Sequence, residues 1–308
     1  MENQHISENG FEIDINITKL LEKEVNGTLC NEDFTELWSN LCIYPISLIE
    51  YIIHNSAHTH VGYDKDQAII YGLLTRLFKL LCFQRRLVCK RLMTTSLAGF
   101  FERMLLEQII NLQYYIQNYN NKALLDSFRL DSLKPEVAFE DNIHNDNSEV
   151  YAELHSWQQQ LLDSIHSTYQ KTNTTYEIIK KRRKSSPSIF EKFSDTGNKR
   201  LYEIAYRTKC HDIHGDWVDL LQNYLTFDEV SLAFTPNFNE YEADLRQLNP
   251  PLLICCDMLK IFVRIFPGHN LPESLCDEIE TASDLISMLD TMQFNFLNHK
   301  KLLEDVSF

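Results

Sequence analysis

Glycine and proline are scarce, at 8 each in 308 residues. A doubly wound α/β sheet needs a turn at every strand end and usually a Gly-rich phosphate loop, and neither signature is present. The chain also lacks a Gly-x-Ser-x-Gly elbow and any paired-carboxylate motif of recognised spacing, so nucleotide phosphotransfer and serine hydrolase chemistry are not expected. Its 8 cysteines are scattered without C-x-x-C spacing and mostly fall in apolar stretches. They read as core thiols in a reducing cytosol. No segment approaches the roughly 20 uninterrupted apolar residues that span a bilayer, and no positively charged start precedes an apolar run. A cytoplasmic protein without a membrane segment is therefore expected. Basic charge is in short supply: 29 Lys and Arg face 44 Asp and Glu, for a formal net charge of -15. That balance favours solubility and repels nucleic acid at long range, so any nucleic-acid contact must be local.

What is present is helical periodicity. With 44% hydrophobic residues, the chain can bury one large core or two small ones without disulfides or metal. After Asp64, the residues Ile69, Leu73, Leu77, Leu80, Leu81 and Val88 recur on one helical face. A second stripe from about Thr94 carries Leu97, Phe101, Leu105, Ile109 and Leu112, which predicts a central helical hairpin. An earlier helix should open at Asn31 with Leu37, Leu41 and Ile43 inward, and end or kink at Pro45. Residues 11 to 17 alternate like a strand, then switch to helical spacing at Leu20 and Leu21, so that segment stays ambiguous.

Further on, the polar run around Pro135 and Glu140 to Asn147 predicts a surface loop over 131 to 148. One long helix is expected from Ser148 to Lys184, and another from Asn198 to His214 with Gly215 as its cap. Asp216 should cap a helix over Trp217 to Leu225. A loop around Pro236, an apolar helix from Pro250 to Phe266 and a final helix from Glu273 to Leu303 complete the chain. The fold class is all-α: a helical bundle with long antiparallel helices. Residues 1–63 form an N-terminal helical segment, 64–230 the helical core, and 231–308 a C-terminal helical extension packed on it.

The most informative string is Tyr202 to Trp217, where Arg207 and His214 lie two turns apart on one face of the expected helix. Their stripe also carries Cys210, Trp217 and Leu221. Such a mixed face normally packs against a helix or another subunit.

In these residues the chain resembles two related helical groups over roughly 64 to 230: a bacterial family catalogued as domain of unknown function five-six-seven-seven, and more remotely the HEPN superfamily. In the first, an Arg-x-x-x-Glu helix pairs with a later segment ending in His-Gly. The matching strings are Phe100-Phe101-Glu102-Arg103-Met104-Leu105-Leu106-Glu107 and Tyr202-Glu203-Ile204-Ala205-Tyr206-Arg207, then His211-Asp212-Ile213-His214-Gly215. HEPN ribonucleases carry Arg, then four to six residues, then His, and Arg207 to His214 fits with six between. The resemblance implies a HEPN-like core and a metal-independent endoribonuclease without a cofactor, in a bacterial defence, toxin or stress setting. Arg207 and His214 would be catalytic, with Arg103, Glu107 and His211 in support. In that superfamily two such motifs usually face each other across a homodimer.

The bland reading of the same residues is structural, with Arg103 or Arg207 paired to Glu107 inside the bundle and His214 at a helix C-terminus. The protein would then be a non-catalytic interaction module whose acidic surface binds a basic protein partner. The cationic run Lys180 to Lys184 fits the C-terminal turn of a helix. It also supplies candidate RNA-backbone contacts in Lys181, Arg182 and Arg183. His54, His58 and His60 form a His-rich tract without an obvious further helical ligand, and no metal site is expected.

Overall fold

The computed structural model describes residues 17–55, 62–148, 154–210, 216–239, 242–243, 245–266, 271–272 and 274–306. The strand-like stretch 11–16, His58 and His60 lie outside them. The chain divides into two compact units, Met1–Gln117 with Ile189–Phe308, and Asn118–Ser188. The larger unit begins with α1 (Ile17–Val25), α2 (Asn31–Leu41), α3 (Ile43–His54), α4 (Lys65–Cys89) and α5 (Thr95–Gln117). The smaller consists of α6 (Lys122–Asp131), α7 (Lys134–Ser148), α8 (Ser156–Lys171) and α9 (Tyr176–Lys181). The chain re-enters the larger unit through α10 (Ile189–Asp195) and ends with α11 (Asn249–Ile265) and α12 (Leu275–Val306). The architecture is all-α, with one small antiparallel hairpin, β1 (Leu225–Asp228) and β2 (Ala233–Pro236).

The centre of the larger unit is α5, which packs against α4, α10 and α11. It buries Phe101, Leu105, Leu106, Ile109, Ile110 and Leu112, residues that point to more than one side of the helix. Leu97, expected inward, is instead 39% exposed at its first turn. The predicted start of α4 is confirmed in detail. Asp64 accepts from the backbone N–H groups of Asp66 and Gln67 at 2.8 Å, and the Gln67 amide oxygen returns a bond to the Asp64 N–H at 3.2 Å. Pro45 neither ends nor kinks a helix. The break falls at Cys42, and Pro45 occupies the first turn of α3, where its missing N–H would have no intrahelical partner.

The loop expected over 131–148 is helix α7, a correction with a clear cause. Pro135 sits in the first turn, and the polar residues find partners on later helices. Buried Glu140 lies 3.0 Å from His166 Nε2 and accepts from the Tyr169 hydroxyl at 3.2 Å, while Asp141 accepts from Lys180 at 2.8 Å and from Tyr176. Burial and the neighbouring Glu140 carboxylate push the Tyr169 phenol well up. Leu133, Val137, Ile165, Tyr169 and Ile179 form the unit's apolar core.

The single helix expected from Ser148 to Lys184 is two. Asn173 takes a left-handed φ of 53° between α8 and α9, and Thr175 caps α9 by accepting from the Ile178 N–H at 3.4 Å. The loop expected around Pro236 is the hairpin, in which Leu225 pairs with Pro236 and Phe227 with Phe234.

Beyond α9 the chain is held by one buried carboxylate. Asp131, whose side chain is 3% exposed, receives Arg182 Nε at 2.9 Å and the backbone N–H groups of Ser185 and Ser186 at 2.7 Å each. Burial alone would raise its pKa, but the two N–H groups and the guanidinium outweigh it and hold the carboxyl at about 2. Because the folded value lies below that of the unfolded chain, this contribution is complete above about pH 5. It is lost as the pH falls toward 2, and amounts to about 2 kcal/mol. Asp131→Asn should remove it at neutral pH. The expected result is faster hydrogen exchange at the Ser185 and Ser186 amides and a lower urea midpoint; unchanged exchange would refute the latch.

Candidate functional site

The site grows from two elements of the larger unit. On α5, Arg103 and Glu107 lie one turn apart, and Glu102 directly precedes Arg103. Facing them is Lys199–Cys210, expected as part of one α-helix but built otherwise. A short α turn, Lys199–Leu201, is followed by a π turn, Tyr202–Tyr206, and a 3₁₀ turn, Thr208–Cys210. The Arg207 N–H reaches the Tyr202 carbonyl at 2.8 Å, five residues back, and the Cys210 N–H reaches the Arg207 carbonyl at 3.1 Å, three back. Packing decides this change of pitch. The π turn stacks Tyr202 on Tyr206, with ring centroids 5.4 Å apart, and both rings contact fully buried Phe193 of α10 at 5.4 and 5.1 Å. Leu106 and Ile110 of α5 complete that cluster.

Tyr206 joins the two charged groups that the sequence singled out. Its hydroxyl donates to Glu107 Oε2 at 2.8 Å and receives Arg103 Nη2 at 3.3 Å, while the Arg103 guanidinium carbon lies 4.6 Å from the Tyr206 ring centroid. Arg103 and Glu107 therefore meet through a phenol. Burial, followed by the hydrogen bond and the charge of Glu107, pushes Tyr206 up to about 12. It remains a neutral hydrogen-bond donor throughout the physiological range. One residue back on α5, buried Glu102 takes Lys209 as its cation at 3.6 Å.

Arg207 does not enter this network. Tyr206 points inward, and the next side chain along the turn, Arg207, is exposed to solvent. It makes no ion pair with a carboxylate among the described residues. His211 and His214 lie outside those residues. Asp216 caps the next turn as expected, accepting from Val218 N–H at 3.0 Å and Asp219 N–H at 3.3 Å, but the helix expected to run to Leu225 is an α turn followed by a π turn that ends at Tyr224.

The cationic run in the smaller unit divides by role. Lys180 is held by Asp141, and the Arg182 guanidinium by Asp131, Ser127 and Ser185. Lys181 makes only a loose exposed pair with Glu177 at 3.7 Å, and Arg183 faces solvent. Among the described residues no group of three or more His, Cys, Asp or Glu could hold a metal ion. No helix there is long and apolar enough to cross a membrane.

Three contributors carry no recognisable pattern in the sequence: Tyr206, Glu102 and Lys209.

A family model described as a family of unknown function, DUF5677, matches residues 67–231, more than half of the chain and the whole of the arrangement just described. No curated protein and no solved structure matches.

Tyr206→Phe should lower stability by about 1 kcal/mol, because it strips a half-buried guanidinium and carboxylate of the buried phenol they share. Combining it with Glu107→Gln should cost less than the sum of the two single changes by at least about 0.5 kcal/mol in chemical denaturation. Strict additivity would show that the phenol and Glu107 do not act together.

Proposed function

The chain belongs to the DUF5677 family of unknown function, and from that premise we propose that it is a metal-independent endoribonuclease with Arg207 and His214 as its active pair. One observation carries the reading. In a chain of net charge -15, where acidic partners abound, the Arg207 guanidinium is left in solvent without a carboxylate among the described residues. It stands next to a tyrosine that is fixed by hydrogen bonds to the central helix and by ring packing on Phe193 of α10. A cation free of internal pairs on a rigid support suits an external phosphate.

In the proposed reaction the ribose 2'-oxygen attacks the adjacent phosphorus and the bond to the 5'-oxygen breaks. This leaves a 2',3'-cyclic phosphate and a free 5'-hydroxyl. His214 takes the proton from the 2'-hydroxyl or gives one to the departing 5'-oxygen, with water exchanging the proton at the other end, and Arg207 stabilises the charge that builds on the phosphorane. Arg103 and Glu107 act through Tyr206, holding the turn that presents Arg207, and His211 lies close to His214 in sequence as a supporting group. Lys181 and Arg183 add local phosphate contacts to an otherwise acidic chain. A bacterial defence or stress setting and a homodimer belong to the same proposal.

A second reading has its own support. The Arg103, Tyr206 and Glu107 bonds form a half-buried polar group of the kind that fixes a scaffold, so the protein could serve as an interaction module that binds a basic partner.

Incubation of the full chain with labelled single-stranded RNA in EDTA separates the two. The ribonuclease reading expects cleavage with cyclic phosphate ends and no cut where the 2'-hydroxyl is missing. It also expects a loss of at least about 100-fold in Arg207→Ala and in His214→Ala, with melting temperatures unchanged. Equal rates in wild type and variants would leave the scaffold.

A further inference from the structure

Of the 23 large apolar side chains exposed among the described residues, ten fall between Trp217 and Phe238. Three of the ten are aromatic rings gathered on one face of the hairpin. In the β1 and β2 register, Leu225, Phe227, Phe234 and Pro236 fall on that face, and Thr226, Asp228 and Thr235 on the other. Trp217 joins from the preceding turn, edge-on to Phe234 at 5.3 Å, and Phe227 lies 4.8 Å from the same ring. The rings nevertheless remain 54%, 46% and 45% exposed for Trp217, Phe227 and Phe234, so each keeps π surface in water.

Their placement is firm. Asp216 caps the turn that opens at Trp217, and buried Asp219 accepts from the Asn223 side-chain amide at 2.8 Å. The Asn237 N–H reaches the Tyr224 carbonyl at 2.8 Å and carries the pairing one step beyond the strands. The rings therefore form a fixed platform, not a loose apolar tip.

We infer that this face is a base-stacking subsite, on which an unpaired nucleobase of the RNA strand rests a few nucleotides from the bond to be cut. The choice of occupant rests on the ribonuclease reading, and three features of the face favour it. Trp217 follows His214 by three residues, so their Cα atoms lie within about 11 Å whatever path the chain takes. A strand held at His214 thus has its neighbouring nucleotides within reach of the platform. The exposed groups are rings, and every base offers a π-face on which an aromatic ring can stack without regard to sequence. Residues 216–239 contain no Lys, Arg or His, while Asp228 and Glu229 are exposed, so phosphate is repelled here and the uncharged base is the part of a nucleotide that can settle. A duplex hides its bases and shows its phosphates, which this face does not suit.

Fluorescence anisotropy at fixed salt, with a labelled 2'-O-methyl oligoadenylate of about 12 nucleotides, tests it, because that strand offers bases but no 2'-hydroxyl to attack. Wild type should bind this strand, and should bind a strand of equal length without bases at least about 10-fold more weakly. Trp217→Leu and Phe234→Leu should each raise the dissociation constant for the base-bearing strand at least about 10-fold. Trp217→Tyr, which keeps a ring, should stay within about 3-fold of wild type, and Thr235→Ala on the opposite face should change nothing. The comparison of the two strands uses the unaltered chain, so it decides the matter even where a ring variant folds poorly. A wild type that binds both strands equally, or neither up to about 100 μM, overturns the inference. Ring variants with unchanged melting temperature and unchanged affinity also overturn it, and leave the face to a protein partner. Cleavage of ordinary RNA is scored separately. Its absence beside a ring-dependent affinity sinks the catalytic reading alone, and its persistence beside a ring-independent affinity sinks the stacking subsite alone.

Discussion

The larger unit depends on the burial of α5. A helix enclosed on several sides has little exposed surface on which to place polar groups, so each polar side chain it keeps must find a partner on a neighbouring element. The partners observed are the joints of the unit. Gln108 donates to the Leu73 carbonyl at 2.8 Å and accepts from Arg76 at 2.7 Å, which ties α5 to α4. Asn111 accepts from Lys192 at 2.7 Å, and Gln113 accepts from Asn198 at 3.2 Å, which ties it to α10 and the turn that follows. Glu107 and Arg103 belong to the same series, and their partner is Tyr206. The candidate site is thus a continuation of the rule that holds the core together, and Arg207 is the neighbouring side chain to which that rule does not apply.

Much of the helical framework was legible because helix ends are written locally. Asp64 with Gln67, Asp216 with its two N–H partners, and the apolar stripes of α4 and α5 depend on residues three or four apart. Those are the distances over which sequence periodicity carries information. The smaller unit was less legible for the opposite reason. The polar residues of α7 are satisfied by His166, Tyr169, Tyr176 and Lys180, dozens of positions away, and a composition that suggests a solvated loop cannot anticipate them. Asn173 at a left-handed φ interrupts what periodicity reads as one helix.

At the candidate site, family resemblance identified Arg103, Glu107 and Arg207, but not how they relate. Arg207 and His214 share a helical face only if α-helical pitch is uniform through Arg207. The described turns are π and then 3₁₀, because stacking Tyr202 and Tyr206 against Phe193 favours a wider turn than the backbone alone would choose. Tyrosine carries no signature that distinguishes a bridging phenol from an ordinary core ring, so Tyr206 had to be found in three dimensions. The hairpin was hidden for a related reason: its strands are four residues each, too short for alternation to stand out.

The order of the units along the chain bears on how the protein is made. The smaller unit occupies Asn118–Ser188, so the ribosome finishes α5 and then synthesises that insertion before α10, the 199–210 turns or α11 exist. At roughly 5 to 20 residues per second, the helix destined for the centre waits about 4 to 16 seconds for α10, with α1 to α4 already available to shield it. During that interval Leu106 and Ile110 lack Phe193 and Tyr206, and Arg103 and Glu107 lack their phenol. Those polar groups can stay hydrated while they wait, whereas the bare apolar stripe is the feature that a nascent-chain chaperone would recognise.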